Sequence, residues 1–267
     1  MATKQRLDTL LAERGLFASR SQAAASVMAG EVCVGEGRRR VQKPGEMVAP
    51  DALLSVRERP RYVSRGGIKL ANALAQTGIA VEGRRALDVG ASTGGFSDCL
   101  LQHGAAEVVA VDVAYGELDY GLRKDARVHV LERSNARELT AAMLPYAPDL
   151  AVLDLSFISL TKVLPAVLAC LAPQHDVLAM IKPQFEVGRE RLGKGGVVRA
   201  AEDRRLALQS VGAAARAMGA AVLGFYSSGL PGPKGNRETF VWLAESERAG
   251  GARDDAAVAA MAREVEP

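Results

Sequence analysis

The chain has 267 residues, 48% of them hydrophobic and 24% charged. That balance builds a folded core and excludes disorder as a whole, and the length suits one large domain or a small one joined to a medium one. The three cysteines, Cys33, Cys99 and Cys170, lie too far apart for a CxxC zinc or redox pair. They read as reduced thiols of a cytoplasmic protein. The amphipathic start MATKQRLDTLLAERG lacks the apolar core of a signal peptide, and the most apolar stretch, 163–172, falls well short of the roughly 20 residues that cross a bilayer. No membrane role, no metal and a monomer are therefore expected.

The net charge is only +3, but it is unevenly placed. Residues 1–63 carry 11 Lys+Arg against 7 Asp+Glu, and the remainder carries 23 against 24. The basic character belongs to the N-terminal quarter, which points to a nucleic-acid face there.

In chain order, Leu7, Leu10 and Leu11 followed by Gly15 predict a short amphipathic helix with a glycine stop. Ser19 stands as the N-cap of a second, alanine-rich helix over 20–29. Residues 31–34 alternate like a strand, 38–45 read as a basic turn, and 47–48 and 53–56 add strand candidates. The order RLDTLLAERG, SRSQAAASVMAGEVCVG, KPGEMV resembles the RNA-binding domain named after the fourth small-subunit ribosomal protein. Arg6, Arg14, Arg20 and Lys43 are the side chains expected to neutralise phosphates, which supplies affinity without reading sequence. This small α+β RNA-binding domain is expected over 1–59. A proline and little apolar periodicity mark an interdomain linker at 60–63, within RERPRYVSR.

From residue 64 to 248 helices and strands alternate. Helices are predicted at 67–77, 95–103, 117–123, 160–171 and 202–217. Strands are predicted at 85–90, 107–112, 127–131, 149–155 and 176–181, and near 220–226 and 238–243. The alternation implies an α/β, Rossmann-like fold with a mainly parallel, doubly wound seven-stranded sheet. The alanine-rich, charged segment 249–267 reads as a short helix or a frayed tail.

The first strand of this domain runs through Asp88 into the small-residue turn Gly90, Ala91, Ser92, Thr93, Gly94, Gly95 and Phe96. Such a turn lets a ligand touch backbone, although nicotinamide enzymes also place one after their first strand. The spacing here does not fit GxGxxG, which favours S-adenosylmethionine over a nicotinamide. Asp112 ends the second strand 18 positions after Gly94, where a carboxylate can hold both ribose hydroxyls of an adenosyl group. Asn135 and Ala136, with Arg137, follow the third strand and either reach the adenine or cap the next helix.

Methyl transfer to a ribose 2'-hydroxyl needs a base and positioning groups but no metal. Neither HExxH nor a CxxC pair is present. Instead Lys69 precedes the first strand, Asp154 and Lys182 follow two apolar strands, and Glu238 opens the last one. All four are expected at the rim beyond the carboxyl ends of the parallel strands, where such folds bind ligands. A partly desolvated lysine beside another cation is neutral more often, which would let Lys182 serve as base, with the carboxylates orienting the lysines and the ribose.

The motifs SRGGIKL, LDVGASTGGFSDCLL, DLSFISL, IKPQFEVG and LPGPKGNRETFVWL resemble the TlyA family, related to the FtsJ-type ribose methyltransferases, over nearly the whole chain. The resemblance implies a Rossmann-like fold of class I methyltransferase type and a Lys-Asp-Lys-Glu tetrad at Lys69, Asp154, Lys182 and Glu238. It also implies cytidine 2'-O-methylation of ribosomal RNA in the small or large ribosomal subunit, and adds Phe157 to the cofactor or substrate pocket. Arg65, in SRGGIKL, joins the RNA-binding candidates. The family carries Arg-x-Trp-Val where this chain has Pro60-Arg61-Tyr62-Val63. The long loop KPQFEVGRERLGKGGVVR reads as a mobile lid whose Arg189, Arg191 and Lys194 touch RNA phosphates. Against these stand a non-catalytic ribosome-assembly factor, a membrane-active haemolysin and a nicotinamide enzyme.

Overall fold

A computed structural model describes residues 3–56 and 60–266, which divide into two compact units meeting at Pro60/Arg61. Of the RERPRYVSR segment, residues 57–59 lie outside the described residues.

The first unit contains β1 (Gln5–Arg6), α1 (Leu7–Glu13), α2 (Arg20–Met28), β2 (Val32–Val34), β3 (Arg39–Arg40), β4 (Met47–Val48) and β5 (Leu54–Val56). β1 pairs with β4, and a separate antiparallel sheet runs β3-β2-β5. Leu7, Leu10 and Leu11 of α1 meet Ala23 and Val27 of α2, Val32, Val41 and Val48 in one core. Ser19 caps α2, its hydroxyl accepting the Gln22 N–H at 3.2 Å. Arg39 and Arg40, expected in a turn, form the edge strand β3 opposite Val34 and Cys33. The Arg40 guanidinium donates to the carbonyls of Gly30 and Ala29, satisfying acceptors at the end of α2.

The second unit contains α3 (Arg65–Thr77), β6 (Arg85–Val89), α4 (Gly95–Gln102), β7 (Glu107–Val111), α5 (Tyr120–Lys124), β8 (Val128–Leu131), β9 (Leu150–Leu153), α6 (Leu164–Leu168), β10 (Asp176–Ile181), α7 (Pro183–Glu186), α8 (Ala201–Ala217), β11 (Ala221–Ser227), β12 (Thr239–Ala244) and α9 (Asp255–Val265). Seven strands form one sheet in the order β11-β12-β10-β9-β6-β7-β8, parallel except at β12, which runs against both its neighbours. Successive residues face opposite layers. Leu87, Val109, Ala151 and Ala179 enter the core shared with α6, α8 and α9. Ala86, Val108, Val152 and Leu178 enter the one shared with α3 and α4.

Two departures from the sequence pattern have local causes. Predicted helix 160–171 breaks into a 3-10 turn, Leu160–Lys162, and the short α6, because Pro165 fits only the first turn of a helix. α5 starts at Tyr120 because Asp119 accepts the N–H groups of Gly121 and Leu122. Of the two forms expected for the segment beyond Ala249, the structure has the short helix: Asp254 caps α9, Val258 and Ala262 are buried, and buried Glu266 pairs with Arg204 at 2.8 Å.

Residues 61–63 are not a free linker either. Tyr62 is buried beside Phe96 and Cys99, the Val63 N–H donates to Asp98 at 2.8 Å, and Gln102 donates to the Arg61 carbonyl. A Cβ on Gly67 would stand 2.3 Å from the Tyr62 ring, so only glycine lets α3 pass beneath it.

Candidate active site

Beyond the carboxyl ends of β6, β7, β9 and β10 lie two adjoining cavities of about 590 and 440 Å³, both bordered by Gly90, Ser92, Asp154 and Ser156. This is the size range of small-ligand pockets and the edge at which open α/β sheets hold ligands.

Gly90 makes the floor. Its φ is +86°, and a Cβ there would press to 2.6 Å from the Asp154 carbonyl oxygen, so the turn after β6 crosses β9 only with a bare backbone. Asp112, at the end of β7, reaches across: its carboxylate accepts the Ser92 N–H at 2.7 Å and the Ala114 N–H at 2.8 Å, which fixes its orientation toward the larger cavity. Asn135 and Ala136 line the same cavity. The Asn135 side chain also caps the 3-10 turn Ala136–Glu138 by accepting the Arg137 N–H, the capping role expected of it. Ala91, Thr93, Gly95 and Phe96 border the smaller cavity. An acidic residue at the second strand, a glycine floor and a two-lobed hollow could hold the ribose, the tail and the base of an adenosyl cofactor.

Two residues of the turn do other work. Asp88 is fully buried and borders neither cavity; its carboxylate accepts both the N–H and the hydroxyl of Ser97, at 2.8 and 2.7 Å, and so anchors the first turn of α4. Burial pushes its pKa up to about 7 against the opposing pull of those bonds, with nearby Asp154 and Asp112 adding to the rise. Expected as a ligand residue, Asp88 is a support of the turn. Gly94 likewise borders neither cavity; at φ +92° it starts α4 where a Cβ would strike Leu122 and Leu118.

The four residues expected at the rim form two ion pairs. Lys69 and Glu238 are both buried and in direct contact. Lys182 Nζ lies 2.5 Å from Asp154 Oδ1 and donates to Ser156 Oγ at 3.0 Å. Lys69, Asp154 and Lys182 border the 440 Å³ cavity, while Lys182 and Glu238 border a further hollow of about 280 Å³ with Ser156, Phe157 and Gln184. Lys182 thus stands beside a carboxylate rather than beside the second lysine, which corrects the electrostatic basis expected for it. Ser156 went unnoticed in the sequence, although it lies two residues after Asp154 in DLSFISL; so did Glu117, which accepts the Ser92 hydroxyl at 3.2 Å.

Phe157 is 91% exposed, with φ +66°, and its ring lies 5.3 Å from that of Phe185. It borders both the larger cavity and the 280 Å³ hollow. Arg65 borders the 440 Å³ cavity and donates to the Pro231 carbonyl at 2.9 Å. The long loop is more tied down than a mobile lid: Asn236 is bonded to the Val198 N–H and the Gly196 carbonyl, and Arg191 pairs with Asp203 at 2.6 Å. Arg189 and Lys194 remain exposed on it.

In the small unit, Arg6 and Arg20 converge on buried Asp8, at 2.7 and 3.3 Å. The Arg6 hydrogen bond, above all, holds the Asp8 carboxyl down at about 2. Lys43 is exposed. Arg14, expected on phosphate, donates instead to the carbonyls of Ala52 and Pro50 and closes the unit. Among the described residues no cluster of His, Cys, Asp or Glu suits a metal ion.

Comparison with known proteins places this geometry. The family model described as FtsJ-like methyltransferase matches residues 62–245, and the one described as S4 domain matches residues 5–54. A 16S/23S rRNA (cytidine-2'-O)-methyltransferase, TlyA of Mycobacterium tuberculosis, is 48% identical over 91% of each chain. YqxC of Bacillus subtilis, which carries an rRNA methyltransferase name, is 44% identical over 90% of this chain and 85% of its own. A solved structure from Streptococcus thermophilus that carries a hemolysin name has a TM-score of 0.73 and 38% identity, covering 99% of this chain and 96% of that one. An S-adenosylmethionine dependent methyltransferase from Mesorhizobium loti, 16% identical with a TM-score of 0.50, covers 66% of this chain and 98% of its own and shares the fold. The chain belongs to the FtsJ-like methyltransferase family, in its TlyA branch, with an S4 domain ahead of the methyltransferase domain.

Proposed function

We propose that the protein transfers a methyl group from S-adenosylmethionine to the ribose 2'-hydroxyl of cytidine in ribosomal RNA. The observation that carries this reading is the Lys182–Asp154 pair standing beside the glycine-floored cavity, which Lys69 of the Lys69–Glu238 pair also borders. The names of the relatives supply the RNA and the nucleotide.

S-adenosylmethionine supplies an electrophilic methyl group on a sulfonium. Asp112 would hold the ribose of that cofactor, Gly90 and Ser92 its tail side, and Asn135, Ala136 and Phe157 the base side. A hydroxyl that takes a methyl must lose its proton, and we assign the neutral Lys182 amine as the acceptor, once its ammonium form has released a proton to solvent at the open cavity, with Ser156 Oγ and Asp154 fixing its position. The Asp154 carboxylate balances the charge that Lys182 carries once it holds the proton. Lys69 borders the same cavity, and its buried pairing with Glu238 keeps it charged and fixed in place. Exposed Arg6, Arg20 and Lys43 of the S4 domain, with Arg65, Arg189 and Lys194, are assigned to RNA phosphates.

Incubation with methyl-labelled S-adenosylmethionine and unmodified ribosomal subunits, followed by alkaline hydrolysis, tests the reading. A methylated 2'-oxygen cannot attack its own phosphate, so label should appear in alkali-resistant dinucleotides; label on a base, or none, contradicts it. The membrane-active alternative rests on the hemolysin names of some relatives, such as Hemolysin A of Brachyspira hyodysenteriae, 40% identical over 73% of this chain and 80% of its own. No helix among the described residues is long and apolar enough to cross a membrane.

A further inference from the structure

The segments leaving β9 and β10 are joined twice. The first junction is the Asp154–Lys182 pair. The second lies a few residues further along both segments: Glu186, the last residue of α7, accepts the Ser159 hydroxyl at 2.6 Å and the Leu160 N–H at 2.9 Å, one with each carboxylate oxygen. The two junctions and the two short stretches of chain between them close a ring.

Glu186 is an unusual choice for that place. Burial pushes its carboxyl above the ordinary range, and no described cation pairs with it. A partly buried carboxylate with no counter-ion is costly, and an amide would fill the same space more cheaply. What the carboxylate adds is two acceptors held by one group, which grip a hydroxyl and the first turn of the 3-10 helix Leu160–Lys162 together. The stretch it closes contains Phe157, whose backbone sits in the left-handed region that a bulky residue adopts only under constraint. It also contains Ser156, whose hydroxyl oxygen accepts a hydrogen bond from Lys182 Nζ.

We propose that Glu186 is a positioning residue: by clamping Ser159 and Leu160 it sets the 154–159 segment against α7 and so fixes Asp154 and Ser156 around Lys182. This rests on the assignment of Lys182 and Asp154 to the reaction.

The test uses the full chain with Glu186→Ala, Glu186→Gln and Ser159→Ala. Hydrogen exchange should quicken within 155–162 in Glu186→Ala while the strands of the sheet stay protected. At saturating cofactor its kcat should fall about tenfold or more with the KM for RNA unchanged, since small misplacements of reacting groups are costly in rate. Glu186→Gln should recover part of the loss. Ser159→Ala should reproduce it more weakly and serves as the decisive variant if Glu186→Ala does not fold. Unchanged exchange, unchanged kcat, or a rise in KM alone overturns the proposal. A wild-type protein that transfers no methyl group at all overturns instead the reading of the function, and the exchange measurement still decides whether the clamp exists.

Discussion

Lys69 and Glu238 stand 169 residues apart in the chain and meet as a buried ion pair that joins α3 to the start of β12. Removing one partner strands a charge away from water, which costs about 3–5 kcal/mol. Glu238→Ala should therefore lower the denaturant midpoint more than Asp154→Ala, because Asp154 and Lys182 are less deeply covered. Replacing both Lys69 and Glu238 by Met should restore much of the stability without restoring methyl transfer, a separation that equilibrium unfolding and an activity assay can read side by side.

Asp112 is oriented by two backbone donors toward the larger cavity. Asp112→Ala should weaken binding of S-adenosylmethionine by about 10–100-fold, the worth of one or two hydrogen bonds to a charged group, with little change in RNA affinity. Titration calorimetry with cofactor and filter binding with RNA check the two halves.

Asp88 ties the cofactor turn to α4 while holding a carboxyl at about 7. The folded protein keeps a proton that the unfolded chain gives up near pH 4. The stability linked to that proton is complete at low pH and is lost as pH rises toward about 7. The wild type should lose stability relative to Asp88→Asn across that window, since Asn keeps an acceptor for Ser97 and does not titrate. A constant difference between the two unfolding curves from pH 4 to 7 would contradict the account.

Lys43 and Arg20 project from the S4 domain, whereas Arg14 is occupied by carbonyls of its own domain. Lys43→Ala and Arg20→Ala should each lower RNA affinity and flatten its salt dependence by about one counter-ion, leaving cofactor binding untouched. Arg14→Ala should act on the melting of the domain instead. Binding isotherms at several salt concentrations distinguish the two effects.

The seven strands of the large sheet were legible to within a residue or two because apolar runs such as 176–181 are too short for a core helix flanked by turns and read as buried strands, whereas the two-residue strands β1 and β3 left no pattern; the order of the rim residues followed from the strand ends. Pairing was not legible. Nothing in the sequence tells that Lys69 takes Glu238 and Lys182 takes Asp154, because partners across a sheet are set by strand order, here the insertion of β12 between β10 and β11. Asp88 misled for a related reason: a carboxylate beside a glycine turn looks like a ligand until its burial and its two bonds to Ser97 are seen. The burial of Tyr62 was missed because a short apolar contact to a distant helix leaves no periodic signal, and for the same reason the 249–267 segment could not be told as a docked helix or a frayed tail.

The most direct test of the central claim is methyl transfer to unmodified ribosomal subunits by the wild type and by Lys182→Ala, with cofactor binding measured on both. The account predicts ribose label from the wild type, a loss of at least about 100-fold in the variant, the usual scale for removing a positioned acid–base group, and equal cofactor affinity. Transfer by Lys182→Ala at the wild-type rate would contradict it.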